Sequence, residues 1–281
     1  LAAVINTQGN AIQVTTMATR GSRENLKLLQ AGAVDVGQVE GNAARIALDG
    51  VSGPPADLKV LSVMYPNPGM FVVRGDSGYA SIDDLRGHPV AFGTRASGLR
   101  ILANDVLDGL GLSPADDFGQ IILGKAAEGP TLVLNGDAEA LWGAGIGWPG
   151  FRKVADSEVG GRFIPPSPAQ IERILDKHPH LQRMTVPAGT YTGQEEDIES
   201  IGLWSLILVR PDLDDEAAYR LARAIHLGNP ALVERLPQGR YTTAANTVRY
   251  VPEDRLHPGA ARYYREIGLL PGADGSVVRI T

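Results

Sequence analysis

The chain has 281 residues, 43% of them hydrophobic and 21% charged, with a formal net charge of -6. A mean hydropathy of -0.06 suits a globular protein with a sizeable core, and no apolar run reaches the roughly 18 to 20 residues of a membrane-crossing helix. The acidic balance and scattered Lys and Arg give no basic stripe for a nucleic acid, and the lack of cysteine excludes disulfides, thiolate metal sites and a cysteine nucleophile.

Short apolar strands alternating with amphipathic helices predict an α/β fold with mostly parallel sheets. The chain opens at Leu1 as the tail of a helix, so residues upstream are expected to be missing. Residues 11–16 alternate as a strand, and Ser22 reads as the N-cap of a helix with Leu26, Leu29 and Ala33 on one face. Residues 35–39 form the next predicted strand, and 42–48 a helix closed by Asp49 and Gly50. Strands at 59–65 and 70–74 are expected to flank a turn at Pro66-Asn67-Pro68-Gly69. Ser81 and Asp84 read as a cap, and 89–93 as a strand. The loop Thr94-Arg95-Ala96-Ser97-Gly98 then enters a helix with Leu99, Leu102, Val106 and Leu110 on one face. Further strands are predicted at 120–123, 138–142, 184–186 and 198–209. Helices are predicted at 167–177, with Pro168 at the favoured first position, and at 214–227 and 258–267.

Several segments, in order, carry a family resemblance. They are Gly21-Ser22-Arg23-Glu24-Asn25-Leu26, Ala31-Gly32-Ala33-Val34-Asp35-Val36-Gly37, Met64-Tyr65-Pro66 and Val72-Val73-Arg74-Gly75-Asp76-Ser77-Gly78. Asp84-Leu85-Arg86-Gly87, Ser97-Gly98, Gly136-Asp137-Ala138 and Pro187-Ala188-Gly189-Thr190-Tyr191 follow. Together, over residues 3–219, they resemble the TAXI-type solute-binding proteins of TRAP transporters. The resemblance implies a two-lobed, type II periplasmic-binding fold with a hinge of crossing strands and a ligand cleft between the lobes. Lobe I is expected at 1–73 plus 199–281 and lobe II at 74–198, with the crossings near 70–74 and 198–203. The first strand and glycine-rich turn usual in that family would precede Leu1. It further implies a periplasmic, monomeric binding subunit that captures a small carboxylate, glutamate or a related acid of four or five carbons. The partners would be TRAP membrane permease subunits, with no catalysis, cofactor or metal.

Polar groups of such a site collect where strands end and helices begin. The junctions Thr19-Arg20-Gly21-Ser22 and Thr94-Arg95-Ala96-Ser97-Gly98 each bring a small hydroxyl, a glycine and expected unpaired N–H groups to a positive helix end. A ligand carboxylate there would gain about 0.3 to 1 kcal/mol per helix, plus charge-assisted hydrogen bonds. Arginine is not the family's usual residue at Arg20 or Arg95, so each either marks this chain's own ligand or is a solvent-facing loop charge. Asn25, inside the first resembling segment, joins the expected ligand set. A third junction, Ala140-Leu141-Trp142-Gly143-Ala144-Gly145-Ile146-Gly147-Trp148-Pro149, offers close backbone approach at Gly143. Its Trp142 and Trp148 are either an apolar wall of the site or core. Tyr65 and Tyr191 match family positions and supply ring and hydroxyl, or else lie at a boundary with the hydroxyl satisfied. Glu40 stands where the family often has glutamine, and an acid there would pair with a ligand amine.

Gly75-Asp76-Ser77-Gly78 resembles a trypsin-like nucleophile segment, but that chemistry needs a His base and a buried Asp on a two-barrel β fold. His178-Pro179-His180 is two candidate metal ligands at a helix end, too few for a site. Two other readings stay open: the ligand-sensing domain of a regulator on the same fold, and an enzyme on that fold with Glu40 or Asp137 as its acid or base.

Overall fold

The structure, a computed structural model, describes residues 1–9 and 12–271. In chain order the first elements are α1 (Ala2–Asn6), α2 (Ser22–Gln30), β1 (Val36–Val39), α3 (Gly41–Leu48) and β2 (Lys59–Arg74). Then follow β3 (Pro89–Thr94), α4 (Leu99–Gly109), β4 (Gly119–Leu123), α5 (Gly129–Asn135), β5 (Ala140–Ala144), α6 (Pro149–Ala155) and β6 (Gly161–Ile164). The chain continues with α7 (Pro168–Lys177), β7 (Gln182–Val186), β8 (Ile198–Val209), α8 (Asp215–Leu227), α9 (Asn229–Arg235), α10 (Ala244–Tyr250) and α11 (Pro258–Glu266). No helix among the described residues is long and apolar enough to cross a membrane.

The chain divides into two compact units. Unit 1 holds the described residues of Leu1–Val39, Ala44–Tyr65 and Trp204–Thr281, and unit 2 holds Glu40–Ala43 and Pro66–Leu203. Two strands therefore belong to both: β2 changes unit between Tyr65 and Pro66, and β8 between Leu203 and Trp204.

In unit 1, β1 pairs antiparallel with the end of β8, Val36 opposite Val209. Leu29, Leu61, Val63, Ile207 and Leu208 are buried, and α8 packs on α11. The helix expected to run to Ala33 stops at Gln30. There the Ala33 amide bonds the Leu28 carbonyl and the Gly32 amide the Leu29 carbonyl. Gly32 takes φ 67, the left-handed conformation that this helix ending requires. Of the strand expected at 11–16, Ala11 lies outside the described residues, and 12–16 form no strand. The Asn6 side chain takes both backbone groups of Val14 instead, at 2.7 and 2.9 Å.

In unit 2 the sheet is mixed. β3 pairs parallel with β4 and β5, while β2 pairs antiparallel with β5 and β6, and β7 with β8. Phe71, Val90, Phe92, Leu102, Val106, Trp142, Ile171 and Ile174 form its core, with α4 and α7 covering the sheet. The turn expected at residues 66–69 is absent, because β2 runs unbroken for 16 residues through both prolines. The fixed φ of proline suits extended backbone. Asn67 is also held at this point, its Nδ2 donating to the Leu203 carbonyl at 3.0 Å.

Candidate functional site

In unit 2 the loop after β3 leads into α4. Thr94 is buried, and its carbonyl accepts from the Ser97 amide at 3.1 Å. Ser97 Oγ accepts from the Leu99 amide at 3.2 Å. The Ser97 carbonyl takes the Arg100 amide at 3.3 Å, and the Gly98 carbonyl takes those of Ile101 at 2.9 Å and Leu102 at 3.3 Å. The first turn of α4 thus closes its own amides, which corrects the expectation of unpaired N–H groups. Gly98 is the N-cap with φ -63, an ordinary helical value. Arg95 is exposed and joins no ion pair among the described residues.

Glu40 stands immediately before α3 and is 6% exposed. Its carboxylate accepts from the Asn42 and Ala43 amides at 3.0 and 3.4 Å and from Asn42 Nδ2 at 3.1 Å. Burial pushes its carboxyl up to about 7, against these hydrogen bonds and with a smaller upward push from the charge of Asp105. Near neutral pH it is therefore a partly protonated acid already engaged by a helix end, rather than a fixed anion awaiting an amine.

The aromatic residues of unit 2 organise the segment between β5 and α6. Tyr191 is 3% exposed. Its hydroxyl donates to the Gly145 carbonyl at 2.6 Å and accepts from the Gly147 and Trp148 amides at 2.9 and 3.2 Å. Trp142 is core, with its ring edge-on to Phe71 at 4.9 Å and its indole N–H on the Leu99 carbonyl at 2.8 Å. Trp148 is half-buried beside Phe151, 5.0 Å between ring centroids. A Cβ on Gly143 would lie 2.5 Å from the Trp148 ring. Gly143 therefore makes room for that indole, where the sequence reading had it approach a ligand.

In unit 1 the loop before α2 is built differently. Gly21, with φ 132, is the N-cap, and Ser22 is the first helical residue, buried at 8%. This corrects the reading of Ser22 as the cap, because the left-handed conformation at the helix start requires glycine. The Glu24 and Asn25 amides bond the Gly21 carbonyl at 3.0 and 3.1 Å. The Arg20 amide donates to Glu24 Oε2 at 2.7 Å, and its exposed guanidinium lies 3.8 Å from the same oxygen. The charge of Arg20 is thus already answered by a carboxylate.

Behind this loop runs a polar network spread over five parts of unit 1. The Thr19 hydroxyl donates to Asn25 Oδ1 at 2.6 Å, and Asn25 Nδ2 to the Gln38 carbonyl at 2.6 Å. Gln38 Nε2 donates to the Tyr65 hydroxyl, which also bonds the side chains of Ser205 and Gln238. Burial holds the Tyr65 hydroxyl above its ordinary pKa, so it is a neutral donor and acceptor. Gln238 is 6% exposed, and its Oε1 has no hydrogen-bond partner. Asn25 and Tyr65 are named from the sequence as candidate ligand contacts, and Gln38, Ser205 and Gln238 are not. Ser205 alone left a signal, as a hydroxyl inside an apolar strand that must find a partner when buried.

The same fold occurs in solved structures. The alkanesulfonate-binding protein SsuA from Xanthomonas axonopodis pv. citri, bound to MOPS, is 16% identical with a TM-score of 0.52, over 94% of this chain and 76% of that one. The periplasmic aliphatic sulphonate binding protein SsuA from Escherichia coli is 17% identical with a TM-score of 0.52, over 94% and 76%. A Xanthomonas citri protein bound to chloride ion is 17% identical with a TM-score of 0.52, over 94% and 88%. The likeness is one of fold, the two-lobed α/β architecture of periplasmic-binding proteins. Residues 1–268 match the sequence pattern described as the NMT1-like family, and the chain belongs to that family.

Proposed function

We propose that this chain is an extracytoplasmic solute-binding protein that captures a small organic anion and hands it to a membrane permease without chemical turnover. The ligand is a carboxylate, glutamate or a related acid of four or five carbons, and the permease is of the TRAP type that the TAXI-like segments imply.

One observation carries the anion reading: the exposed guanidinium of Arg95 joins no ion pair among the described residues and adjoins Thr94, Ser97 and Gly98 at the start of α4. A guanidinium presents a planar fork of donors that matches a carboxylate, and the helix start adds a favourable dipole. The two SsuA proteins are named for binding sulfonates, and a third relative holds chloride. These ligands agree in charge with the proposed one.

Isothermal titration with carboxylates, amino acids, alkanesulfonates and sugars tests the proposal. Micromolar binding of a carboxylate, about -8 kcal/mol, is expected. Binding of sulfonates alone would keep the anion and move the ligand class to that of the SsuA proteins. Binding of sugars or cations with no acid bound would overturn the reading.

A further inference from the structure

The strongest cluster of metal-ligating side chains lies in unit 2, and none of its members is a residue assigned to solute binding. Asp105, His178 and His180 each offer one ligand atom, all within 4.8 Å of one another. The pair His178 and His180 is local, but Asp105 comes from α4, so the set exists only where α4 meets the turn after α7. That meeting is tight. A Cβ on Gly109 of α4 would lie 2.7 Å from Ile174 Cα of α7. Arg173 and Lys177 of α7 donate to the carbonyls of Leu110 and Asp108 at 3.1 Å each.

His180 Nε2 lies 3.1 Å from Asp105 Oδ2, and His178 Nε2 lies 2.8 Å from Asp108 Oδ2. The two imidazole rings stand edge to face, with centroids 5.7 Å apart. Asp105 and Asp108, three residues apart on α4, share a helix face. All three ligands are largely covered, with side-chain exposures of 19% for Asp105, 15% for His178 and 21% for His180. Metal bonds of about 2.1 Å put tetrahedral ligand atoms about 3.4 Å apart. The cluster therefore needs only a modest contraction to grip an ion.

We propose that Asp105, His178 and His180 bind one divalent ion of the zinc class, with Asp108 as the carboxylate next in reach, and that the ion clamps α4 to the turn after α7. Two imidazoles select zinc, copper, nickel or iron over magnesium and calcium, whose preference is for oxygen alone. The Lys177 ammonium, 2.8 Å from Asp108 Oδ1, competes for Asp108 but not for the other three side chains.

The test uses the whole chain, stripped with chelator, with zinc chloride as the titrant and magnesium chloride as the comparison. Saturable binding of one ion per chain below millimolar is expected, with a raised unfolding midpoint. His178→Ala and His180→Ala should each weaken binding by at least about tenfold. His88→Ala, whose ring meets Tyr79 at 3.3 Å, should leave it unchanged. Should the two alanine variants fail to fold, the ring nitrogen NMR shifts of the wild-type histidines decide: those of His178 and His180 must move with added zinc. The proposal falls if there is no saturable binding below millimolar, if those two signals stay still, or if magnesium binds equally well. None of these readouts uses a solute, so its failure is separate from that of the proposed function.

Discussion

Glu40→Gln measures the free energy of ionising a carboxyl that is 6% exposed. Its pKa stands at about 7 in the folded chain against 4.5 for the free group. Between those values the folded state keeps a proton that the unfolded state has released. Stability is therefore greatest at the acid end and falls as pH rises through the window. At about 1.4 kcal/mol per pKa unit, ionisation costs the fold about 3 kcal/mol, most of it between about pH 5 and pH 7. The Glu40→Gln amide removes the ionisation yet leaves an oxygen for the Asn42 and Ala43 amides. Its NH2 group can also donate to Asn42 Oδ1, a buried atom with no partner in the wild type, once the Asn42 amide turns over. Urea unfolding of both proteins without solute, in steps from about pH 5 to pH 8, reads the effect as a difference. The variant should gain on the wild type by about 2 to 3 kcal/mol across that range. His257 works in the other direction: burial holds its pKa below the ordinary value, so its contribution is lost as pH falls. It is common to both proteins and cancels. Parallel stability curves would refute the buried, raised carboxyl.

Arg95→Ala should weaken carboxylate binding by at least about tenfold, roughly the loss of one charge-assisted pair, while thermal stability holds. Unchanged affinity in the titration would dismiss that residue. Gly202→Ala puts a methyl 1.9 Å from the Asn67 carbonyl oxygen, so β8 and β2 must part. A loss of about 2 kcal/mol or more is expected in urea unfolding, and a loss under about 0.5 kcal/mol would contradict the close approach. Tyr191→Phe strips the acceptor from the Gly147 and Trp148 amides. It should cost about 1 to 3 kcal/mol and speed hydrogen exchange at those two amides, and unaltered exchange would show that the hydroxyl does not hold them.

What the sequence revealed about the fold was what is decided locally. The helices predicted at 167–177 and 214–227 are both present, and in the structure Ser167 and Gln170 form the reciprocal cap of α7, with Pro168 in the first turn, and Asp214 caps α8. These signals work because donor and acceptor lie three residues apart. The strand at 12–16 failed for the opposite reason. Alternation describes a face, but a strand also needs a neighbour, and the Asn6 side chain took the place of one. The Pro66-Asn67-Pro68-Gly69 run misled because the same proline φ serves a turn and an extended strand. Contacts at Leu203 and Gly202, more than 130 residues away, decided between them.

The candidate site was legible as positions and not as states. Loops at strand-to-helix junctions could be named, but whether their polar groups were free could not, since satisfaction depends on distant partners. The Tyr191 hydroxyl is consumed by three backbone groups of the 145–148 segment, the Gly143 space by an indole, and the charge of Arg20 by Glu24. Arg95 keeps its charge unanswered by any ion pair among the described residues, which is why it, and not its counterpart Arg20, bears the weight of the anion reading. Distant partners matter in the opposite sense at His178 and His180. Two histidines at a helix end are too few for a site on spacing alone. The third ligand, Asp105, arrives only because Gly109 lets α4 and α7 approach to backbone distance. A residue with no side chain thus sets the chemistry available to three that have one.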